Sequence, residues 1–122
     1  MQSRLLNLPL SFCCLVGLAL PVWAHARVEG TVPAAGAQLS VSPDRIEIRF
    51  TESIEPRLSD FKLFNAQEAA ITLAREADDG DRRHMSASVP APLTAGEYRV
   101  EWKALSEDGH PVSGEFGFTV SP

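Results

Sequence analysis

The sequence predicts an all-β domain of about seven short strands that follows a cleaved export signal. Several segments alternate polar and apolar residues, which is the period of a half-buried strand. Turn-forming Pro, Gly and Asp residues separate these segments, and residues 25–122 show no run of helical periodicity. About seven short strands in roughly 100 residues are typical of an immunoglobulin-like β-sandwich or a Greek-key barrel.

The first 24 residues are predicted to be a secretory signal peptide that is cleaved after Ala24. Arg4 supplies a short positive region, and residues 5–20 are rich in apolar side chains. This apolar run is short of the roughly 20 residues that a membrane-spanning helix needs. Its two cysteines lie in its middle rather than at its end, which argues against a lipoprotein anchor. The sequence therefore predicts an exported domain over residues 25–122, with no stable membrane insertion after cleavage.

The composition of the exported domain excludes several classes of partner. Arg4 is the only charged residue before His25, so residues 25–122 carry 10 basic and 16 acidic side chains. This acidic excess argues against nucleic acid and anionic membrane surfaces as partners. Cys13 and Cys14 both lie in the predicted signal peptide, so the exported domain has no disulfide and must be stable through its core alone.

The predicted strands follow one another at short intervals. In order, they cover residues 26–32, 45–50, 60–65, 70–74, 84–89, 97–105 and 114–120. Tyr98 lies two residues after a turn glycine, which predicts a tyrosine corner in which the phenol hydroxyl bonds back to the preceding loop. Trp102 continues the apolar alternation of the same strand, and we expect it in the core.

His25 is the strongest candidate metal ligand. Cleavage after Ala24 would make it the first residue of the exported protein, with a free α-amine beside its imidazole. These two nitrogens can bind one metal ion in a six-membered chelate. The α-amine has an ordinary pKa of about 7.7–8.0, so that losing its proton near neutral pH costs little. The terminal copper motif that uses deprotonated backbone amides needs histidine as the third residue. Arg27 occupies that position, so this motif is excluded.

Asp108 and His110 are predicted to supply the second half of the site. Residues i and i+2 of an extended segment project to the same side, and Pro111 favours an extended backbone at His110. Two nitrogens from His25, one from His110 and an oxygen from Asp108 would make a tetragonal site, which favours Cu(II). Zn(II) accepts the same ligands in a tetrahedral arrangement and is the main competitor.

Three further motifs accompany this pattern. They are a Pro-Ala-x-Gly turn at 33–36, the segment IEIRFTESIE at 46–55, and the segment PLTAGEYRVEWKALSEDGHPVSGEFGFTV at 92–120. Together with a histidine at the predicted N-terminus, they make the exported domain resemble the periplasmic copper-resistance proteins of the CopC/PcoC type. The resemblance covers essentially the whole of residues 25–122. It implies a periplasmic location and a seven-stranded β-sandwich or barrel of the cupredoxin or immunoglobulin sort.

The same resemblance implies a ligand set and a partner. The Cu(II) site of such a protein would be formed by His25, Asp108 and His110 of this chain. Glu52 matches a glutamate near that site and is expected to be an outer or weak ligand. The implied partner is an inner-membrane copper-transport protein of the CopD type.

One departure from the family concerns Cu(I). Some members carry a methionine-rich loop, whose soft thioethers suit Cu(I). The corresponding region, residues 62–79, contains no methionine and no histidine. His84 and Met85 are adjacent in a predicted strand and would face opposite sides, and His84 is expected to be an exposed turn residue. The sequence therefore predicts a protein that binds Cu(II) only.

The function that the sequence favours is binding of one Cu(II) ion, to buffer or deliver it, without turnover. Two rivals stay open. A terminal histidine chelate also resembles the copper centre of lytic polysaccharide oxygenases, but such an enzyme needs an open copper position and a broad substrate surface. Because Tyr98 and Trp102 are better placed inside the domain, little aromatic material is left for that surface. The other rival is a metal-free sandwich module for adhesion or assembly.

Overall fold

The described part of the chain is built almost entirely from β-strands. The computed structural model describes residues 25–77 and 79–122, and the predicted signal peptide lies outside the described residues. The elements are β1 (Val28–Val32), β2 (Gln38–Leu39), β3 (Arg45–Phe50), a short 3-10 helix (Pro56–Leu58), β4 (Asp60–Asn65), β5 (Ala70–Ile71), β6 (Ala74–Arg75), β7 (His84–Ser88), β8 (Gly96–Leu105) and β9 (Pro111–Val120). Within this part of the chain, no helix has the length and apolar content needed to cross a membrane.

The strands form two sheets. One has the order β1-β3-β7-β6, and the other has the order β2-β9-β8-β4-β5. The pairs are antiparallel, except that β2 runs parallel to β9. The chain passes repeatedly from one sheet to the other, so each sheet combines strands that are distant in sequence, as in a Greek-key sandwich.

Inward-facing side chains of both sheets form the core. In β3, Ile46, Ile48 and Phe50 are fully buried and alternate with residues that are not. Leu63 of β4 and Val100 of β8 are equally buried and come from the other sheet. Because the described residues contain no cysteine, removal of this apolar surface from water is the main stabilising term of the fold.

The prediction of an all-β sandwich is confirmed, and β3 and β4 have the predicted bounds. The single strand predicted over residues 70–74 is wrong. Ala70 and Ile71 pair with β4, whereas Ala74 and Arg75 pair with β7 in the other sheet. Leu73, between them, still packs on the core, so the apolar alternation continues through the crossing and conceals it. The two-residue β2 lies between the first two predicted strands, where the sequence predicts none.

The two aromatic residues of β8 differ in their surroundings. The hydroxyl of Tyr98 donates to the carbonyl oxygen of Thr94 at 2.7 Å, which confirms the tyrosine corner. Trp102 packs on the core as expected but is only half-buried. Its ring meets Phe50 edge to face, with centroids 5.3 Å apart, and occupies the space that a side chain at Gly114 would need.

Gly114→Ala is expected to destabilise the protein by about 1–3 kcal/mol, the usual cost of overpacking. A Cβ at Gly114 would lie 2.7 Å from Cζ2 and 2.9 Å from Cε2 of Trp102. Gly30→Ala is the matched control, because nothing lies within 4 Å of a Cβ at that position in β1. Urea unfolding of both variants measures the difference. Equal free energies of unfolding would contradict the packing described for Trp102.

Candidate metal centre

Three side chains with metal-ligating atoms meet at one end of the sandwich. His25 lies just before β1, and Asp108 and His110 lie in the turn between β8 and β9. One ligand atom from each of the three lies within 4.8 Å of the others. The fold therefore brings the predicted N-terminal ligand next to the predicted Asp-x-His pair.

The β8–β9 turn is held by its own hydrogen bonds. The backbone N–H of His110 donates to Oδ1 of Asp108 at 3.0 Å, and that of Gly109 donates to the carbonyl oxygen of Ser106 at 2.8 Å. Gly109 has a φ of +89°, which L side chains rarely adopt, so a glycine suits this position. The expectation of an extended segment here is wrong. Asp108 and His110 meet because the chain turns tightly around Gly109.

Asp108 lies between the two imidazoles. Its Oδ1 is 3.1 Å from Nδ1 of His110, and its Oδ2 is 4.0 Å from Nδ1 of His25. The two rings are edge to face, with centroids 4.8 Å apart and an interplanar angle of 76°. The side chains of His25, Asp108 and His110 are 46%, 34% and 40% exposed. All three side chains are therefore partly open to solvent.

The turn also favours the ionised form of Asp108. The backbone N–H of His110 is the largest cause that holds the pKa of this carboxyl below its ordinary value. Partial desolvation acts in the opposite direction, and side-chain hydrogen bonds from His110 and Ser106 lower the pKa further. The carboxylate is thus kept as an anionic oxygen ligand at neutral pH.

This donor set fits a divalent transition metal. Imidazole nitrogen and carboxylate oxygen are ligands that both Cu(II) and Zn(II) accept. Cleavage after Ala24 would add the α-amine of His25 as a further nitrogen. With that amine, the arrangement would have the donors that the tetragonal site predicted from the sequence requires.

Glu52 lies near the group but outside it. It lines a hollow together with Ser53, Ser106, Glu107 and Asp108. Its carboxylate is not among the ligand atoms that lie within 4.8 Å of one another. Glu52 is therefore a neighbour of Asp108 and not a member of the three-residue ligand group.

His84 is not an exposed turn residue, so that expectation is wrong. It is the first residue of β7, and its side chain is 16% exposed. Its Nε2 is 3.5 Å from Oδ2 of Asp79, and its Nδ1 is 3.4 Å from Oδ2 of Asp81. The acidic turn before β7 therefore covers this ring, and His84 is not among the residues whose ligand atoms group with those of His25.

An apolar groove of about 640 Å³ adjoins the candidate centre, and sequence reasoning missed it. His25 and His110 line one part of the groove, and Trp102 and Phe116 line another. Alternation places Trp102 on the inward face of β8, but it does not show that the sandwich is open beside β1. The indole of Trp102 is therefore close enough to report on events at the two histidines.

Comparison with known proteins finds one family along nearly the whole described chain. A family model described as the CopC domain matches residues 28–121. The copper resistance protein C of Escherichia coli is 31% identical over 113 residues, which are 87% of this chain and 89% of that protein. The copper transport protein CutJ of Bacillus subtilis is 32% identical over 107 residues, which are 87% of this chain but 20% of that protein.

The fold is similar to a solved structure of the same family. The crystal structure of CopC from Methylosinus trichosporium OB3b gives a TM-score of 0.74 at 28% sequence identity. The match covers 80% of this chain and 95% of that one. Sequence and structure comparisons therefore agree on one family.

In the metal-free protein, Asp108 is expected to titrate below the ordinary carboxyl value of 3.8. His110→Ala should retain part of this lowering of the pKa, because the backbone N–H, its largest cause, is kept while the side-chain hydrogen bond and charge of His110 are removed. Since the folded pKa is the lower one, the stabilisation is present above the unfolded value and is lost as the pH falls through the folded value. Carboxyl ¹³C NMR titration of both proteins measures this. An ordinary pKa in either protein would contradict the described turn.

Proposed function

The chain belongs to the CopC family, and we propose that it is a periplasmic protein that binds one Cu(II) ion and buffers or delivers it. The observation that carries the proposal is the meeting of His25, Asp108 and His110 at one end of the sandwich. Copper is the cargo in this proposal, and the protein carries out no turnover. The names of the relatives, a copper resistance protein and a copper transport protein, support a role in copper handling.

The choice of Cu(II) rests on the donors. After the proposed cleavage, His25 offers an α-amine and an imidazole, His110 offers a second imidazole, and Asp108 offers an ionised carboxylate. Nitrogen and oxygen ligands of this kind suit Cu(II), which also exceeds Zn(II) in the affinity order of divalent ions. Zn(II) is therefore the competitor against which selectivity is measured.

The same residues argue against a Cu(I) site in this part of the chain. Cu(I) prefers soft thiolate and thioether sulfur. Met85 is the only sulfur-containing residue among residues 25–122, and its side chain is 3% exposed in the core. We therefore propose a single oxidation state for the bound ion, with no shuttling between Cu(I) and Cu(II) sites.

The proposed partner is an inner-membrane copper-transport protein of the CopD type. The match to the Bacillus subtilis copper transport protein supports it, because a stretch like this chain makes up 20% of that longer protein. A domain that is part of a transport protein in one organism can be a separate chain in another organism. Such a separate chain is a candidate partner of a membrane transport protein. The half-exposed ligands would allow transfer of the ion without unfolding of the donor.

The protein exported with its own signal is expected to begin at His25 and to bind one equivalent of Cu(II). Fluorescence of Trp102, the only tryptophan after residue 24, should be quenched with an end point at one equivalent. One extra residue before His25, or His110→Ala, should weaken binding by more than about 100-fold, since loss of groups that only orient ligands already costs 10–100-fold. Mass spectrometry identifies the first residue, and the titration gives the affinity.

His84→Ala is the control for this experiment, because His84 lies against Asp79 and Asp81 and is not part of the ligand group. It should bind Cu(II) as the wild type does. Equal and weak binding by the native and extended proteins would favour a metal-free interaction module. Release of peroxide from a reductant well above the rate with free copper would favour an enzyme.

Glu52→Gln is expected to lower Cu(II) affinity by less than about tenfold, whereas Asp108→Asn should lower it at least about tenfold. The physical reason is that Asp108 lies between the two imidazoles, whereas Glu52 lines a hollow with Asp108 and is outside the ligand group. Glu107→Gln, in the same hollow, controls for the loss of one negative charge. Competition titration with a chelator of known affinity measures all three. A larger loss for Glu52→Gln than for Asp108→Asn would make Glu52 a principal ligand.

A further inference from the structure

We infer that Thr51 is a positioning residue of the metal centre, which fixes the main chain at His25 through a hydrogen bond to Arg27. This inference rests on the proposed function and concerns how its N-terminal ligand is held in place. Thr51 touches neither imidazole through a described contact. Its role would be to set where the α-amine and ring of His25 lie relative to Asp108 and His110.

Two hydrogen bonds join Thr51 and Arg27, and each residue donates one of them. The backbone N–H of Arg27 donates to the side-chain hydroxyl Oγ1 of Thr51 at 3.1 Å. The backbone N–H of Thr51 donates to the carbonyl oxygen of Arg27 at 2.8 Å. The pairing of β1 with β3 shifts register between Gly30 and Val28 and ends at Val28 and Phe50, so the bonds between Arg27 and Thr51 continue the attachment one residue beyond the ladder. The side-chain hydroxyl replaces the carbonyl acceptor that a regular ladder would supply.

Ala26 provides the second fixed point. Its side chain is 3% exposed and belongs to the core, whereas His25 directly before it is 46% exposed. After cleavage, His25 would be the only residue beyond these two attachments. The positions of its amine and ring are therefore set by a chain that is already fixed at Ala26 and Arg27.

The segment that carries Thr51 also holds the other half of the centre. The backbone N–H of Glu107 donates to the carbonyl oxygen of Ser53 at 3.0 Å, and Ile54 forms a β-bridge with Ser106. Residues 51–54 thus contact both the N-terminal chain and the turn with Asp108 and His110. This segment connects the two halves, and the Thr51 hydroxyl is the side-chain contact that can be removed alone.

Fixing the chain before the ion binds lowers the entropy lost on binding. Without the hydroxyl, the N–H of Arg27 loses its acceptor, and the first residues can move away from β3. The ion must then order them at the expense of affinity. Typical hydrogen bonds in proteins contribute about 1 kcal/mol, which corresponds to a roughly fivefold to tenfold loss of affinity.

Thr51→Val removes the hydroxyl and keeps the branched shape, and it is expected to weaken Cu(II) binding about fivefold to tenfold. Thr51→Ser restores a hydroxyl and should bind as the wild type does. Thr119→Val, half-buried at the opposite end of β9, is the matched control for removal of a threonine hydroxyl. In the metal-free protein, hydrogen exchange at the Arg27 amide should be faster in Thr51→Val and unchanged in Thr51→Ser and Thr119→Val.

A double-mutant cycle with His25→Ala separates positioning from general destabilisation. His25→Ala removes the ring but keeps the N-terminal amine, so if Thr51 acts through His25, Thr51→Val should weaken binding less in the His25→Ala protein than in the wild type. An equal loss in both backgrounds, or wild-type affinity in Thr51→Val, would overturn the inference. If the wild type itself binds no Cu(II) tightly and His25→Ala changes nothing, the proposed function fails as well, so the two failures are distinguished.

Discussion

The hydrogen bonds made by residues 51–54, directly after β3, hold the candidate centre together. His25 and Asp108 are far apart in sequence, so no local interaction sets the distance between them. Arg27 and Glu107, which lie close to these two ligands in the chain, both bond to this one segment. The segment is itself fixed, because Phe50 before it and Ile54 within it are fully buried. The positions of the half-exposed ligands thus depend on a segment that is fixed by core packing.

The all-β fold could be predicted because polar and apolar residues alternate along each strand, and this pattern is local in the sequence. Ile46, Ile48 and Phe50 alternate with polar residues, and burial of that face allows one register only. The crossing between β5 and β6 could not be predicted in this way. Alternation reports which side chains point inward, and Leu73 points inward through the change of sheet. Pairing partners depend on tertiary packing, which a single strand pattern does not contain.

The candidate ligands could be predicted from residue type, but their arrangement could not. His25 stands out by its place after the predicted cleavage site, and Asp108 and His110 by their spacing. The spacing predicts that Asp108 and His110 lie together, and they do, but through a different geometry, since the chain turns at Gly109 instead of running extended. The contact between Asp108 and His25 depends on residues 51–54, and no motif in the sequence signals that role. Glu52 stays a prediction, beside the group and outside it.

The ligand set also determines when and for which ion the proposed site is complete. Before the proposed cleavage, the nitrogen of His25 is a peptide amide, and the chain offers two imidazoles and a carboxylate. The proposed cleavage would convert that nitrogen into an α-amine, a group whose ordinary pKa of about 7.7–8.0 lets it lose its proton near neutral pH. Among the described residues, none of those at the centre carries soft sulfur and Met85 is enclosed in the core, which supports the proposal of a site for Cu(II) and not for Cu(I). One processing step and one choice of donor type would therefore restrict tight binding to exported protein and to Cu(II).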